Sequence, residues 1–334
     1  MRRAGEERVS ARSSPHARNR LVYAAIASGA VLAGAGGTFV LWSRVERNVV
    51  RVGEAWRDGL LDWRLWTVLA VCLALERLRP ARRATSPRAY AEDVLWWFLF
   101  TACLVTFVRF YLALLGEVHE HVLGGIHVDL AATLGTGGAG VVAFVVGDAL
   151  AWGHHYIRHR VPALWAFHAV HHSQRSLNAF TDSRVHVVEV IVAETLLFLP
   201  AFLLGLPAAT IAALGAAQVA YSRFYHSNIR TNLGPLRYVL VTPQSHRVHH
   251  SAAPEHRDRN FAVTFSVWDR LFGTAYKGCD AYPATGVEDP RFPVAVGSGF
   301  TGLARTFVAQ QLHPFKTVLR SSRGSARVAG LHRY

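Results

Sequence analysis

Long uncharged stretches separated by short charged ones dominate the first half of the chain. Residues 21–43 contain no charged side chain, and at ~1.5 Å rise per residue a helix of this length crosses a hydrocarbon layer of about 30 Å. Further apolar runs follow at residues 65–75, at residues 94–116, where Arg109 is the single charged residue, and at residues 130–147. The pattern predicts four membrane-spanning helices.

A further uncharged block, residues 195–222, lies in the second half of the chain. Pro200 and the sequence Gly205-Leu206-Pro207 interrupt this block, and helices bend or end at such residues. The block therefore predicts a helical hairpin that either re-enters the membrane or spans it twice. The expected fold is an all-α integral membrane protein: a bundle of about four spans, this hairpin, and a histidine-rich metal-binding cap.

Composition and charge favour a membrane protein over a soluble one. Charged residues make up only 17% of the 334 residues, whereas soluble domains have about 25%. The net charge is +14, and the arginines lie between the apolar stretches, which indicates anchoring to lipid and no nucleic-acid partner. Three cysteines without paired spacing exclude a disulfide scaffold.

Arginines in short loops indicate which side of the membrane faces the cytoplasm. Six arginines precede residue 21 and five follow the second apolar run, although the loop at residues 44–61 departs from this pattern with four. The amino terminus and the histidine-rich cap are therefore predicted to be cytoplasmic, in a plasma membrane or the endoplasmic reticulum. The chain is expected to divide into a basic segment (1–20), four spans (21–147), a histidine-rich region with the hairpin (148–274) and a cytoplasmic tail (275–334).

Three histidine clusters with helical spacing follow the fourth apolar run. Residues at i, i+3 and i+4 lie on one face of a helix, so each cluster is expected to bring two or three imidazoles to one point. Eight imidazoles exceed what one four- to six-coordinate ion can use, so two metal ions are predicted. The clusters are His155 and His159; His168, His171 and His172; and His246, His249 and His250.

Other side chains near these clusters are candidates for the same site. His226, which follows the hairpin, is a plausible ninth ligand. The carboxylates of Asp148, Glu189 and Asp258 either orient imidazole N–H groups or serve as helix caps and arginine partners. Imidazole ligands suit iron, zinc or copper, and the spacing does not choose among them.

Several motifs accompany the clusters in a fixed order. Residues 162–168 (Pro-Ala-Leu-Trp-Ala-Phe-His) join the first two clusters, residues 242–245 (Thr-Pro-Gln-Ser) precede the third, and residues 268–274 (Trp-Asp-Arg-Leu-Phe-Gly-Thr) close the region. From about residue 148 to residue 274 the chain thereby resembles the fatty acid hydroxylase superfamily, also called the sterol desaturase family. Four more residues fall on a further family motif: Asn178, Arg184, His186 and Glu189. The chain departs from the family pattern at Tyr156 and Val187.

The resemblance implies a membrane-bound di-iron oxygenase that hydroxylates or desaturates a sterol-like, carotenoid-like or fatty acyl lipid. It implies two Fe2+ ions and O2 as co-substrate, with the nine histidines named above as ligands. Seven residues are implied as supports around them: Asp148, Asn178, Arg184, His186, Glu189, Asn228 and Asp258. No flavin or nicotinamide motif can be read, so electrons are expected from a separate ferredoxin or cytochrome with its reductase.

Two other functions fit the same histidines. A membrane metal transporter or storage protein would place its ligands at the bilayer midplane within broken helices, whereas the predicted spans here contain no histidine. A non-catalytic relative could keep the fold and bind lipid, but the complete set of histidine clusters argues against it.

Overall fold

The structure, a computed structural model, describes residues 63–323 with gaps at 84, 99–100, 102–120, 122–127 and 295–298. Within these residues the fold is helical, and strand-like pairing is confined to three isolated bridges. The α-helices are α1 (Trp63–Leu78), α2 (residues 87–98), α3 (Leu130–Arg160), α4 (Pro162–His172), α5 (Val187–Leu203), α6 (Ala208–His226), α7 (Pro243–His249), α8 (Val267–Leu271) and α9 (Gly299–Arg323). Short 3-10 helices cover Thr181–Ser183, Gly234–Tyr238 and Pro254–His256.

Helix α3 is the one helix of the described residues that is long and apolar enough to cross a membrane. It contains the predicted fourth span and continues to Arg160, so it carries the first histidine cluster at its end. Small residues such as Ala139 and Gly140 are buried, whereas larger apolar residues such as Val141 are exposed. Small residues inside and large apolar residues outside are typical of helices that pack closely in lipid.

Of the four predicted spans, the described part of the chain supports only the fourth, which lies in α3. Helix α1, which contains the predicted second span, has 16 residues, and at 1.5 Å per residue that is about 24 Å, shorter than a hydrocarbon layer of about 30 Å. Helix α2 covers only the start of the third span. The rest of that span and the whole first span, residues 21–43, lie outside the described residues, so their number stays a prediction.

The predicted hairpin corresponds to α5 and α6, which are separated by a turn at residues 204–207. Gly205 has φ 70° in this turn, a backbone conformation that glycine adopts without strain. Both helices pack against α3, through a core that includes Ala143, Ala201 and Ile211. The helices extend beyond the apolar block at both ends because their polar ends belong to the histidine-rich part of the fold.

Helix α4 lies between α3 and α9 and packs against both. Val161, between α3 and α4, has an extended backbone at φ −100° and ψ 112°, as expected for the residue before a proline. The chain therefore turns sharply at Pro162, and the first two histidine clusters come side by side. Residues 299–323 of the predicted tail form α9, a 25-residue helix packed on α4.

Candidate metal centre

Nine histidines from four helices lie together at one end of the fold. Helix α3 contributes two, α4 contributes three, and α6 contributes one at its last residue. Helix α7 contributes two more, and the residue that follows it contributes the ninth. These are the nine side chains that the sequence nominates as metal ligands.

The nine imidazoles form two groups, and within each group one ring nitrogen per histidine lies within 4.8 Å of the others. The five-histidine group contains His155, His159, His168, His172 and His249. The four-histidine group contains His171, His226, His246 and His250. Two neighbouring groups of this size are compatible with two metal ions rather than one.

Each His-x-x-His-His cluster is divided between the two groups. The histidines at i and i+4 stay together, as His168 and His172 do in one group and His246 and His250 do in the other. The histidine at i+3 joins the opposite group, because successive helical residues point about 100° apart. The expectation that each of these two clusters converges on one point is therefore wrong, and only the pair from α3 behaves in that way.

The arrangement of ring nitrogens fits bound cations. In the four-histidine group, Nε2 of His226 lies 3.1 Å from Nε2 of His171 and 2.8 Å from Nε2 of His246. In the five-histidine group, the buried Nε2 atoms of His155, His159 and His249 have no hydrogen-bond partner among the described residues. Buried polar atoms without partners are costly, and a cation would satisfy lone pairs that face one another.

Hydrogen bonds at Nδ1 turn the opposite nitrogen of several rings toward its group. A ring that donates its Nδ1–H presents a lone pair at Nε2, so these bonds select the tautomer that binds metal. The acceptors are backbone carbonyls: Phe261 for His155 at 2.7 Å, Arg259 for His249 at 2.9 Å, Arg184 for His171 at 3.2 Å and Ser222 for His226 at 2.8 Å.

Two residues with left-handed backbones shape the loop that supplies two of these carbonyls. Asp258 has φ 57° and Asn260 has φ 58°, and aspartate and asparagine tolerate this conformation better than most side chains. The carboxylate of Asp269 accepts the backbone N–H of Phe261 at 2.8 Å and holds the loop from behind. The carbonyls of Arg259 and Phe261 thereby face the five-histidine group.

Glu189 is the predicted supporting residue that contacts a histidine side chain. Its carboxylate accepts from Nδ1 of His168 at 3.1 Å and forms an ion pair with Nη1 of Arg158 at 3.1 Å. Burial raises the pKa of the Glu189 carboxyl, and the positive charge of Arg158 opposes that rise. The contact holds the His168 ring with Nε2 toward the five-histidine group.

Burial lowers the pKa of the clustered histidines on α4, α6 and α7. The pKa falls to about 3 for His226 and to about 4 for His249, with burial as the largest cause. For five others the pKa falls well below 6.5, again through burial first and neighbouring positive charge second: His168, His171, His172, His246 and His250. Neutral imidazoles at pH 7 keep the lone pairs that a metal requires.

Asp148 and Asp258 have other partners in the structure. Asp148 accepts the backbone N–H of Thr264 at 2.8 Å and the indole N–H of Trp268 at 2.9 Å. Asp258 pairs with Arg160 at 3.1 Å. Among the described contacts neither carboxylate reaches an imidazole, so both act on loops near the histidines. Of the two alternatives given for these carboxylates, the contacts of Asp258 fit the arginine partner and those of Asp148 fit a support of the loop backbone.

Two further predicted residues also face away from the imidazoles. His186 is bonded through Nε2 to the carbonyl of Gln311 at 3.0 Å, which ties it to α9. The side-chain oxygen of Asn228 accepts from Nη2 of Arg247 at 2.7 Å. The first contact joins the loop before α5 to α9, and the second joins the loop after α6 to α7. Neither contact involves one of the nine clustered imidazoles.

Asp93 on α2 is a buried residue of this region that the sequence reasoning missed. It accepts from Nδ2 of Asn178, Oγ1 of Thr181 and Nε of Arg184 at 2.7–2.8 Å. Arg184 then offers its carbonyl to His171, so Asp93 positions a ligand through the loop. The available signal was a pair of carboxylates, Glu92 and Asp93, directly before an apolar run. The carbonyl acceptors of the site leave no such signal, because any residue can supply a backbone oxygen.

A polar cleft leads to the five-histidine group. Three of its histidines, His159, His172 and His249, line the cleft together with charged residues such as Arg257 and Glu288. The interior has a volume of about 50 Å³, and Arg257 and Glu288 form an ion pair at 2.6 Å beside it. Small polar molecules can therefore approach this group.

Comparisons with known proteins agree with this geometry. Residues 140–274 match the fatty acid hydroxylase family. The chain is 31% identical to an ornithine lipid hydroxylase, OlsE, of Rhizobium tropici over 162 residues, which are 48% of this chain and 45% of that protein. It is 35% identical to alkylglycerol monooxygenase of Xenopus tropicalis and 33% identical to that of Homo sapiens, each over 120 residues, 36% of this chain and 26% of the relative.

The similarities to these relatives cover part of this chain and not the whole length of the relatives. The aligned part is less than half of each of these proteins. No solved structure gives a significant match. The matched segment contains all nine clustered histidines, and this confirms the resemblance seen in the sequence motifs. Over residues 140–274 the chain is therefore similar to the fatty acid hydroxylase family.

Proposed function

We propose that this protein is a membrane-bound, iron-dependent monooxygenase that hydroxylates a lipid. The overall reaction is RH + O2 + 2e− + 2H+ → ROH + H2O, where RH is an unactivated C–H bond of the lipid. One oxygen atom enters the lipid and the other leaves as water, so two electrons and two protons must come from outside. We propose that a separate ferredoxin or cytochrome, with its reductase, supplies the electrons.

The observation that carries this proposal is the pair of buried imidazole groups. Nine neutral histidines with inward nitrogens offer ligands to two ions and bring no thiolate or carboxylate among them. We propose two Fe2+ ions, one held by the five-histidine group and one by the four-histidine group. Bound iron with O2 supplies the oxidant that can remove hydrogen from an unactivated C–H bond.

The residues of this chain have separate tasks in the proposed reaction. The carbonyls of Phe261, Arg259 and Arg184, with the carboxylate of Glu189, hold the rings in the metal-binding tautomer. Burial of the rings excludes bulk water. The polar cleft at Arg257 offers a path for O2, water and protons, so the lipid chain is proposed to arrive from the side that faces the membrane.

The names of the relatives support hydroxylation over desaturation. Both the ornithine lipid hydroxylase and the alkylglycerol monooxygenases are named for adding oxygen to a lipid. Helix α3 supports a membrane location, and the arginine distribution supports a cytoplasmic position for the histidines. We therefore propose a lipid substrate reached within the bilayer.

Iron content and oxygen incorporation test the proposal. The full chain is purified in detergent, reconstituted anaerobically with Fe2+, and assayed with membrane lipids, a ferredoxin system and 18O2. We expect about two irons per chain and a lipid product that carries one 18O atom. His171→Ala with His249→Ala removes one ligand from each group and should abolish both results.

His256→Ala is the matched control for this experiment. His256 is also buried, but it is bonded to Oγ of Ser251 at 2.8 Å and belongs to neither group. The control should keep its iron and its product. A wild-type chain that binds less than about one iron would overturn the proposal. Iron binding without any oxygenated or desaturated lipid would support the non-catalytic reading instead, and a new double bond without 18O would indicate a desaturase.

A further inference from the structure

Helix α9 buries a stripe of small and polar residues and exposes several large apolar residues. The inner stripe consists of Gly302, Thr306, Gln310 and Pro314, all buried at intervals of four residues. Gln310 is 0% exposed and donates from Nε2 to the carbonyl of Pro293 at 2.9 Å. A helix that packs on a protein normally buries its apolar stripe, whereas here Phe307 packs on Trp96 at 4.5 Å between ring centroids and other large apolar residues stay exposed.

The opposite side of α9 presents large apolar residues. Val308 is 52% exposed and Leu312 is 47% exposed, and Phe315 is 45% exposed although one edge of its ring contacts Phe167 at 5.3 Å between centroids. At about 100° per residue these three side chains and Leu319 fall within an arc of about 60°. Phe300, at the start of the helix, is 75% exposed. An exposed apolar stripe of this kind marks an interaction surface.

The charged residues beside this stripe indicate which kind of partner it binds. Arg305, Lys316 and Arg320 are exposed and lie along one edge of it, and the helix contains no acidic residue. An apolar stripe bordered by cations only fits a lipid surface, since the apolar side chains enter the headgroup boundary and the cations meet lipid phosphates. A second copy of the same helix would bring like charges together.

We propose that α9 is an in-plane membrane-binding helix that docks on a bilayer surface containing anionic lipid. The proposal does not depend on the reaction of the metal centre. It does connect the bilayer to that centre, because Nη1 of Arg184 donates to the side-chain oxygen of Gln310 at 3.0 Å, and the Arg184 carbonyl accepts from His171. Docking of α9 thereby fixes the height of α4 and its histidines above the lipid.

Spin labels on the apolar stripe and at its charged edge test the docking of α9. The full chain, with Cys103→Ser and Cys279→Ser to remove reactive thiols, is labelled at Val308→Cys, at Leu312→Cys or at Lys316→Cys. Each protein is placed in bilayers of phosphatidylcholine with phosphatidylglycerol, and collisions with O2, which concentrates in lipid, are compared with collisions with an aqueous nickel chelate. We expect a several-fold higher ratio of oxygen to nickel collisions at positions 308 and 312 than at position 316.

Two results at position 312 would overturn the proposal. Equal nickel accessibility at positions 312 and 316 would place the stripe in water. Shielding of position 312 from both reagents would indicate a protein partner or a second copy of the chain.

The charge requirement has its own comparison. Arg305→Gln, Lys316→Gln and Arg320→Gln together, with the label at position 312, should lower the collision ratio in bilayers that contain phosphatidylglycerol. Pure phosphatidylcholine bilayers should lower it for the unmutated helix as well. All three cations are exposed, so this variant is expected to fold. An unchanged ratio in both comparisons would contradict a role for anionic lipid.

Discussion

Replacing Glu189 by glutamine should weaken metal binding at one of the two histidine groups. The carboxylate contacts His168 at 3.1 Å, and His168 belongs to the five-histidine group. Glu189→Gln keeps the volume and one acceptor oxygen but removes the negative charge that polarises the ring. Loss of such an outer partner costs about 10–100-fold in metal affinity, which corresponds to about 1.4–2.7 kcal/mol.

The same substitution should also destabilise the metal-free protein. Arg158 is 14% exposed and Glu189 is 4% exposed, so glutamine leaves a largely buried guanidinium without its counter-charge. Breaking a buried pair by removing one partner costs about 3–5 kcal/mol. We expect a value near the lower end, because Arg158 retains some contact with water.

Metal titration with a competing chelator measures the first effect, and thermal unfolding in detergent measures the second. At a chelator concentration that leaves the wild type with both metals, Glu189→Gln should retain one. Glu288→Gln is the control, since its pair with Arg257 is exposed and lines the cleft without touching a histidine. Unchanged affinity at both groups, or an equal loss at both, would refute the assignment of Glu189 to His168.

Three further predictions concern the other parts of the site. In Ser222→His, the new ring lies four residues before His226, which is the spacing within the three i, i+4 histidine pairs of the site. The four-histidine group should therefore gain a ligand and bind metal more tightly. Ser222→Ala is the control, and equal resistance of the two variants to a chelator would contradict this prediction. Metal-free protein should lose stability as the pH falls from 6.5 toward 4, because His226 and His249 (folded pKa about 3 and about 4) bind protons in the unfolded chain but stay neutral in the folded protein. For these two groups the free energy of unfolding should fall by about 2.7 kcal/mol per pH unit. A melting temperature that does not depend on pH would refute this prediction. Asp93→Asn should cost about 3 kcal/mol of stability, because the buried Arg184 then keeps only its longer ion pair with Glu92 at 3.5 Å. Asp280→Asn, in an exposed pair with Arg230, should cost under about 1 kcal/mol. Similar melting temperatures for both variants would contradict the burial argument.

Sequence patterns predicted which residues belong to the site more completely than the contacts among them. Eight of the nine histidines that the structure gathers were recognisable from helical spacing, and His226 was a candidate from its position after the hairpin. Glu189 was recognisable as a nearby carboxylate. Asp93 was not, because its importance depends on Asn178 and Arg184, which are more than 80 residues away. The supporting carbonyls of Arg259 and Phe261 depend on backbone conformation and are independent of side-chain identity.

The limits of apolar patterning show in α5 and α9. The uncharged block at residues 195–222 predicted the centre of the hairpin. It did not predict that the two helices continue into polar residues at both ends, where other polar groups surround them. The sequence analysis gave α9 only as part of a tail, and an apolar pattern alone does not say which side of a helix packs on the protein. The contact between Gln310 and Arg184 decides that the polar side does.

The sequence by itself determined that this protein carries histidine clusters of the fatty acid hydroxylase type beside apolar helices, because residue identity and helical spacing are local properties. Tertiary structure alone decided how the ligands divide. A helix sends residues i+3 and i+4 in different directions, so the group that each ring joins depends on which helices pack against it. That packing gives five imidazoles to one group and four to the other.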